Sequence, residues 1–456
     1  MLSAGFTPAM LNYNSMKRIV SNTGTGAKGF GPADYIKITI FGFALAALWG
    51  SLHTIIIQVR LLDFVAESQK NTYLGLLIGT GSILAMAVQP IAGAISDRSA
   101  FRWGRRRPYI LLGTILTLLF IPGIGFCGSF VALFIIYCLL QVSSNIAHGP
   151  HQAFIPDLVP GEKRGRASGV KTLLEFVGGL VVVRLIAYLM DRYFTEQGGP
   201  WLGYALAILG IVLLGTMLAT ILTVKERPGI GGPRPPLLAA VYKNFKVSIK
   251  THPNYVWLLT SRLVLFIKQH PDFVWFLVSR LLILMAFSAL QKFALYLLMD
   301  VAGIASPAAT ANLLIVVGAC MLAAVYPAGR LSDKVGRKPI LVSAGLFSAL
   351  GILLLFFSQT YMHIMLCGAL LGFSAGAFMS TNWALATDLV PKGEEARYLG
   401  LTNLATAGSS ALVLFTIGPM IDFLNTYSPN LGYSAMLIAC FIFLVAGSLL
   451  VLKIKR

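Results

Sequence analysis

Twelve stretches of this chain run for about twenty residues each with almost no charge, long enough to cross a hydrocarbon layer roughly 30 Å thick. They fall near 36–59, 72–95, 108–127, 130–153, 168–190 and 202–224, then near 276–298, 309–329, 339–357, 361–386, 399–423 and 432–452. In hydrocarbon every backbone N–H and C=O must be paired within the protein, so each stretch is expected to be an α-helix. A membrane β-barrel would show alternating segments of ~10 residues instead. Of the 456 residues, 57% are hydrophobic and only 12% are charged. A soluble domain carries about 25% charge, so a soluble chain could not cover its surface with this little.

The net charge is +19. In a soluble protein that excess would suggest nucleic acid. In a membrane chain it marks the loops that stay in the cytoplasm, and no nucleic-acid partner is expected. With the N-terminus inside, 30 of the 36 Lys and Arg fall in the tails and in the 2–3, 4–5, 6–7, 8–9 and 10–11 connectors, counting Lys37 and Lys171 at the cytoplasmic ends of their spans. Only Arg60, Lys70 and Arg192 fall on the opposite side, and Arg184, Arg280 and Lys292 lie within spans. Twelve spans then put both termini in the cytoplasm, with the chain in a plasma (inner) membrane. The five cysteines lie in or beside apolar segments with no CxxC, so they read as small hydrophobes. No disulfide framework and no metal site is expected. No GxxxxGK[ST] appears, and nothing points to an enzyme or to a cofactor.

The charge is concentrated in one connector, "SDRSAFRWGRRRP" (96–108), with five arginines in thirteen residues. The stretch recurs: "GAISDRSAFRWGRRRPYIL" (93–111) parallels "GRLSDKVGRKPIL" (329–341). A second pair, "AFIPDLVPGEKRGRASG" (153–169) and "ALATDLVPKGEEARYLG" (384–400), matches at a fixed offset of 231. The chain is therefore read as an all-α membrane protein of two pseudo-symmetric six-helix bundles, 36–224 and 276–456. A polar tail (1–35), without the order of a signal peptide, precedes them, and a cytoplasmic linker (225–275) separates them. Gly93, Asp97, Arg98, Gly104, Arg105, Asp157 and Arg166, with Gly329, Asp333, Lys334, Gly336, Arg337, Asp388 and Arg397, are expected to form a cytoplasmic gate. In this reading the glycines allow close helix approach, and the aspartates and basic residues latch one bundle to the other.

Gly-x3-Asp-[Arg/Lys]-x-Gly-[Arg/Lys]-[Arg/Lys] resembles the signature loop of the major facilitator superfamily, and residues 329–338 match it in full. The first copy carries four extra residues. That longer form, with "SLHTIIIQ" (51–58) and "SNIAHGPHQAFIPDL" (144–158), resembles the sucrose/proton symporters of the glycoside–cation symporter group. The resemblance implies a monomeric secondary transporter that moves a sugar or glycoside, together with a proton or other cation, by rocking two bundles about a central site. One departure matters. Those porters carry an acid on helix 4, and here that place holds Gln141. An amide does not bind and release a proton near neutral pH. Exporters or facilitators of another metabolite or drug share the fold, and a transport-dead sensor is a further alternative. An exporter would be expected to have a greasier cavity with fewer amides.

Polar side chains inside spans are costly and mark function. His53 and Gln58 on helix 1, Gln141 and Asn145 on helix 4, Arg184 on helix 5, Gln291 on helix 7, and Asn382 beside Trp383 on helix 10 are the candidate solute-binding residues. Asn145, His148 and Gln152 are spaced to share a face, and His148 and His151 read as gate or packing residues. Glu175, the only acid well inside a span of the first half, is the candidate proton carrier, with a structural pair to Lys171 as the competing reading. Arg184 is also a candidate partner for Asp63. Gly368, Gly372 and Gly376 read as a packing stripe. In the linker, residues 250–267 are repeated directly by 268–285 with nine of eighteen positions identical. The first copy is expected to be a short surface helix, and the second to run into helix 7.

Overall fold

The computed structural model describes residues 31–99, 101–226, 269–358, 360–389 and 395–455, without the side chains at 395–397, 399 and 400. Among these residues twelve helices are long and apolar enough to span a membrane. They are α1 (Pro32–Leu62), α2 (Glu67–Asp97), α3 (Arg107–Phe126), α4 (Phe130–Leu158), α5 (Arg164–Thr195) and α6 (Trp201–Thr223). Then come α7 (Pro271–Asp300), α8 (Pro307–Val335), α9 (Arg337–Phe356), α10 (Tyr361–Leu389), α11 (Leu401–Asn425) and α12 (Leu431–Val451). Each matches one expected stretch. Several run further because their polar end turns continue beyond the apolar window. The polar tail and the first copy of the tandem repeat lie outside the described residues, whereas the second copy opens α7.

Local signals explain where helices begin. Ser129 and Ser306 each accept a hydrogen bond from the backbone three residues on, capping α4 and α8, and Pro307 follows at the first helical position. Gly104 and Gly336, before α3 and α9, have φ of +129° and +103°, a region closed to most side chains. The glycine stripe of α10 lets α8 approach closely: a Cβ on Gly372 or Gly376 would stand 2.2 Å or 2.1 Å from the carbonyl oxygens of Val317 and Met321. Two segments wind as π-helix, Leu52–Ile56 in α1 and Gly178–Val182 in α5. Such bulges frequently accompany functional sites.

The loops 2–3, 4–5, 8–9 and 10–11 mark the basic end of the molecule, and the other end is called the far end. The halves meet at the far end. A Cβ on Gly75 of α2 would lie 2.1 Å from the Leu414 oxygen of α11, and one on Gly418 would lie 2.5 Å from the Asn71 oxygen. Toward the basic end the same helical faces are open. Ile83 and Met86 on α2 and Leu404 on α11 are exposed, and a Cβ on Gly93 or Gly408 would meet nothing within 4 Å. The two halves therefore close on each other at the far end and part toward the basic end.

Candidate functional site

At the π-helical turn of α1, the His53 ring meets α4. His53 Nε2 lies 2.8 Å from the Tyr137 hydroxyl, which also accepts from Gln141 Nε2 at 2.8 Å. Asn145 Nδ2 donates to the Gln141 carbonyl at 2.8 Å and to its side-chain oxygen at 3.2 Å. Trp49 covers the group, its ring 5.0 Å from His53. Gln58 Nε2 donates to two carbonyls, His53 O and Lys292 O, each at 3.0 Å, and so ties α1 to α7 across the two halves. Tyr296 returns the bond, donating to the Gln58 carbonyl at 2.8 Å. Of the expected residues, His53, Gln58, Gln141 and Asn145 are thus brought together. Tyr137 and Trp49 join them unforeseen, because an aromatic in an apolar helix carries no sequence signal of its own, and Tyr296 joins them through Gln58. Tyr137→Phe removes the hydroxyl shared by His53 and Gln141 and should cost ~1–3 kcal/mol, read as a lower midpoint in a detergent melt. An unchanged midpoint would refute that role.

A cavity of about 470 Å³ lies beside Gly50 and Thr54 of α1, walled by α5 and by α7, α8, α9, α10 and α12. Its wall is mostly aliphatic and aromatic, with Thr54, Glu175, Gln291, Ser358, Tyr433 and Ser434 as polar points. Glu175 pairs with Lys171 at 3.6 Å, the structural pairing that sequence offered as its competing role. Arg184 does not reach Asp63. That carboxylate is held by Arg60 at 2.5 Å and by the Tyr193 hydroxyl at 3.0 Å, because Arg60 is one turn away on the same helix. Asn382 and Trp383 do not act together. Asn382 is buried and accepts from Arg280, which Thr406 also binds, while Trp383 is exposed. Adjacent residues on a helix point about 100° apart. His151 is packing: its Nε2 meets the Ile38 carbonyl at 3.1 Å, and its ring is edge-on to Phe41. His148 and Gln152 do share a face, 3.1 Å apart.

At the basic end the ion pairs form within each half rather than between halves. Arg106 is 4% exposed; it pairs with Asp97, binds Asp157 at 2.9 Å and donates to Ser96 Oγ at 2.5 Å. Arg105 adds a bond to Asp157 at 2.8 Å. In the second half Arg337 pairs with Asp333, binds Asp388 at 3.3 Å and donates to Ser332 Oγ at 2.8 Å. Arg106, and not the expected Arg105, is therefore the counterpart of Arg337, because three residues separate Gly104 from Pro108 where two separate Gly336 from Pro339, and both arginines stand two residues before the proline. Gly93 and Gly329 make no close approach here; the nearest atom to a Cβ on Gly329 is Ser380 Oγ at 4.0 Å. Arg98, Lys334 and Arg166 are exposed, Gly104 and Gly336 shape the turns, and the Arg397 side chain lies outside the described residues. Glu226, just after α6, caps α3 by accepting from the backbone N–H of Arg105 at 2.6 Å and of Arg106 at 2.8 Å.

The far end holds an interlock that sequence did not reveal. Lys70 of α2 is 2% exposed and binds Asp300 of α7 at 2.6 Å. Asp300 also accepts from Tyr433 of α12 at 2.7 Å. Asp422 of α11 accepts from Thr72 N at 2.6 Å and Asn71 Nδ2 at 2.8 Å.

Two repeated six-helix halves, closed at one end, parted at the other and joined over a polar cluster at mid-depth, define a carrier of the alternating-access kind. The chain matches the Major Facilitator Superfamily over residues 33–412 and again over 281–456, and it belongs to that superfamily. It is 36% identical over 112 residues to a sucrose transport protein of Oryza sativa subsp. japonica, covering 20% of this chain and 21% of that one. It is 34% identical over 86 residues to a minor myo-inositol transporter of Bacillus subtilis (strain 168), covering 19% and 20%. These alignments span only about a fifth of the relatives' length. The fold is similar to a D-xylose-proton symporter, with a TM-score of 0.68 at 17% identity over 93% of this chain and 98% of that one. It is also similar to a bacterial homologue of the human lysosomal transporter Spinster, inward-facing and occupied, with a TM-score of 0.69 at 16% identity over 94% and 98%.

Proposed function

We propose that this protein is a secondary transporter of a small hydroxylated solute, a sugar or glycoside such as sucrose, moved by alternating access with proton coupling. The observation that carries the reading is the cluster of imidazole, phenol and two amides where α1 meets α4, beside the Gln58 tie to α7. Hydroxyl groups need both donors and acceptors, and this set supplies both. The transport of sucrose and of myo-inositol named for the two relatives supports the solute class. The 30-to-3 division of basic residues supports an orientation with the basic end and both termini in the cytoplasm of a plasma (inner) membrane. In that orientation the structure is open inward. With Gln141 in place of an acid, Glu175 on the cavity wall is the proposed proton carrier, and the transporting unit is a monomer. The mostly apolar wall of the cavity favours a second reading, export of an amphipathic metabolite or drug on the same fold.

The test is uptake of labelled sucrose and maltose into proteoliposomes with and without an inward proton gradient, for wild type and Glu175→Gln. Gradient-driven accumulation that disappears in the variant is the expected result. Equal, non-concentrative uptake by both would make the protein a facilitator. No uptake of either sugar would move the export reading forward.

A further inference from the structure

Asp422 of the second half accepts from Thr72 N at the start of α2, in the first half. The converse contact is also present. Asp191, half-buried near the far end of α5, accepts from the Ser306 hydroxyl at 2.6 Å and from the backbone N–H of Ala308 at 3.5 Å. Ser306 is the N-cap of α8 and itself accepts from Ala309 N at 3.1 Å. A carboxylate of the first half thus holds the start of a helix in the second.

The internal repeat relates the two contacts. Asp191 and Asp422 are 231 positions apart, the offset at which the 4–5 and 10–11 loops match. Thr72 and Ala308 are 236 apart, the offset that relates Gly93 and Asp97 of α2 to Gly329 and Asp333 of α8. Each bond therefore joins corresponding residues with the halves exchanged. A chance polar contact at one helix end would not return at the repeat-related position of both partners. Each carboxylate also faces the positive end of the other half's helix dipole.

The pairing has a mechanical consequence. Two halves related by a pseudo-twofold axis present repeat-related contacts on opposite flanks of that axis, here α2 with α11 and α5 with α8. A bond on one flank leaves the halves free to swing about it. A second bond on the opposite flank stops the swing. Resting on the transporter reading above but on no particular solute, we propose that Asp191 is a positioning residue for the transport cycle. With Asp422 it forms a two-point latch, and both points must release before the far end opens. Asp191 reaches α8 chiefly through one hydroxyl, whereas Asp422 meets backbone and side-chain amides of α2 at 2.6 Å and 2.8 Å, so Asp191 is the weaker point.

The experiment reads the flank that Asp191 does not touch. Leu74 is fully buried on α2, beside Gly75, where α2 meets α11. In a cysteine-free background, Leu74→Cys is labelled with a water-borne thiol reagent. Adding Asp191→Ala is expected to speed labelling about tenfold, the lower end for a hydrogen bond to a charged group. A defect confined to the packing of α5 on α8 would not reach α2. Ser306→Asp keeps a good N-cap for α8 but sets like charges across the seam, and should speed labelling at least as much. Adding Asp191→Asn to Ser306→Asp places an amide donor opposite the new carboxylate and should restore slow labelling. A detergent melt near the wild-type midpoint shows that each variant is folded. Unchanged labelling in Asp191→Ala or in Ser306→Asp overturns the latch. So does a failure of the added Asp191→Asn to restore it, or fast labelling of Leu74→Cys with both caps intact. No solute enters the measurement, so a failed latch leaves the transport reading standing, and absent sugar uptake leaves the labelling result as it is.

Discussion

Asp422→Ala is expected to open the far end of the protein. The carboxylate comes from α11 in the second half and is 7% exposed. It accepts from backbone amides in the first α-helical turn of α2, which begins at Lys70 in the first half, Thr72 N at 2.6 Å and Asn71 N at 3.3 Å, and from Asn71 Nδ2 at 2.8 Å. It is therefore a helix cap supplied across the interface, and it sets a negative charge against the positive end of the α2 dipole. Alanine leaves those amides without a partner for as long as the far end stays closed. Once the far end opens, water satisfies them. The penalty falls on one conformation only, so it shifts a population rather than unfolding the chain. A charge-assisted hydrogen bond of this kind is worth ~1.5–3 kcal/mol, and at 1.4 kcal/mol per factor of ten the closed far end loses about 10- to 150-fold. Reactivity of Leu74→Cys in a cysteine-free background reads the effect. Leu74 has no exposed surface and lies on α2 between Asn71 and Gly75, where the halves touch. Labelling by a water-borne thiol reagent should speed up when Asp422→Ala is added. Leu341→Cys, equally buried on α9, should stay slow. Equal labelling of Leu74→Cys with and without Asp422→Ala would show that the cap does not hold the far end shut.

The twelve spans were legible because hydrocarbon imposes one requirement on every residue of a segment, and mean apolarity over twenty residues reports it. The repeat of the charged loops was legible because both copies keep the same local spacing. What Arg106 does was not. Three consecutive arginines follow Gly104, and only the packed structure shows which of them turns inward between Asp97 and Asp157. The central site was half legible. His53, Gln58, Gln141 and Asn145 stand out as polar residues in apolar helices, whereas Tyr137 completes the group through a hydroxyl on a ring that any membrane helix could carry. The π-helical turns at 52–56 and 178–182 leave no mark in the residue types at all. The far-end interlock was invisible for a different reason. Asn71 and Asp422 are 351 positions apart, and each lies near a helix end, where a polar residue needs no explanation. Lys70 counted only as one of three basic residues on the less basic side, yet its burial against Asp300 makes it part of the closure.

Glycine substitutions separate the strength of the halves from their motion. Gly75 and Gly372 face clashes of nearly the same size if a methyl group is added, 2.1 Å from the Leu414 oxygen and 2.2 Å from the Val317 oxygen. Their consequences should differ, because Gly75 of α2 meets α11 across the two halves, while Gly372 of α10 meets α8 inside one half. Gly372→Ala overpacks a contact present in every conformation. It should cost ~1–3 kcal/mol of stability, lower the melting midpoint, and leave the labelling of Leu74→Cys slow. Gly75→Ala forbids only the closed far end. Its melting midpoint should stay near wild type, its Leu74→Cys should label fast, and its uptake of any transported solute should fall by at least about 100-fold, since a backbone oxygen cannot yield as a flexible side chain can. Forcing both together would need a shift of more than 1 Å along a packed helix pair, and packed interiors transmit such strain rather than absorb it. A Gly75→Ala protein that transports normally would mean that α2 and α11 never approach this closely during the cycle. The far-end contact between the halves would then be no part of how the protein works.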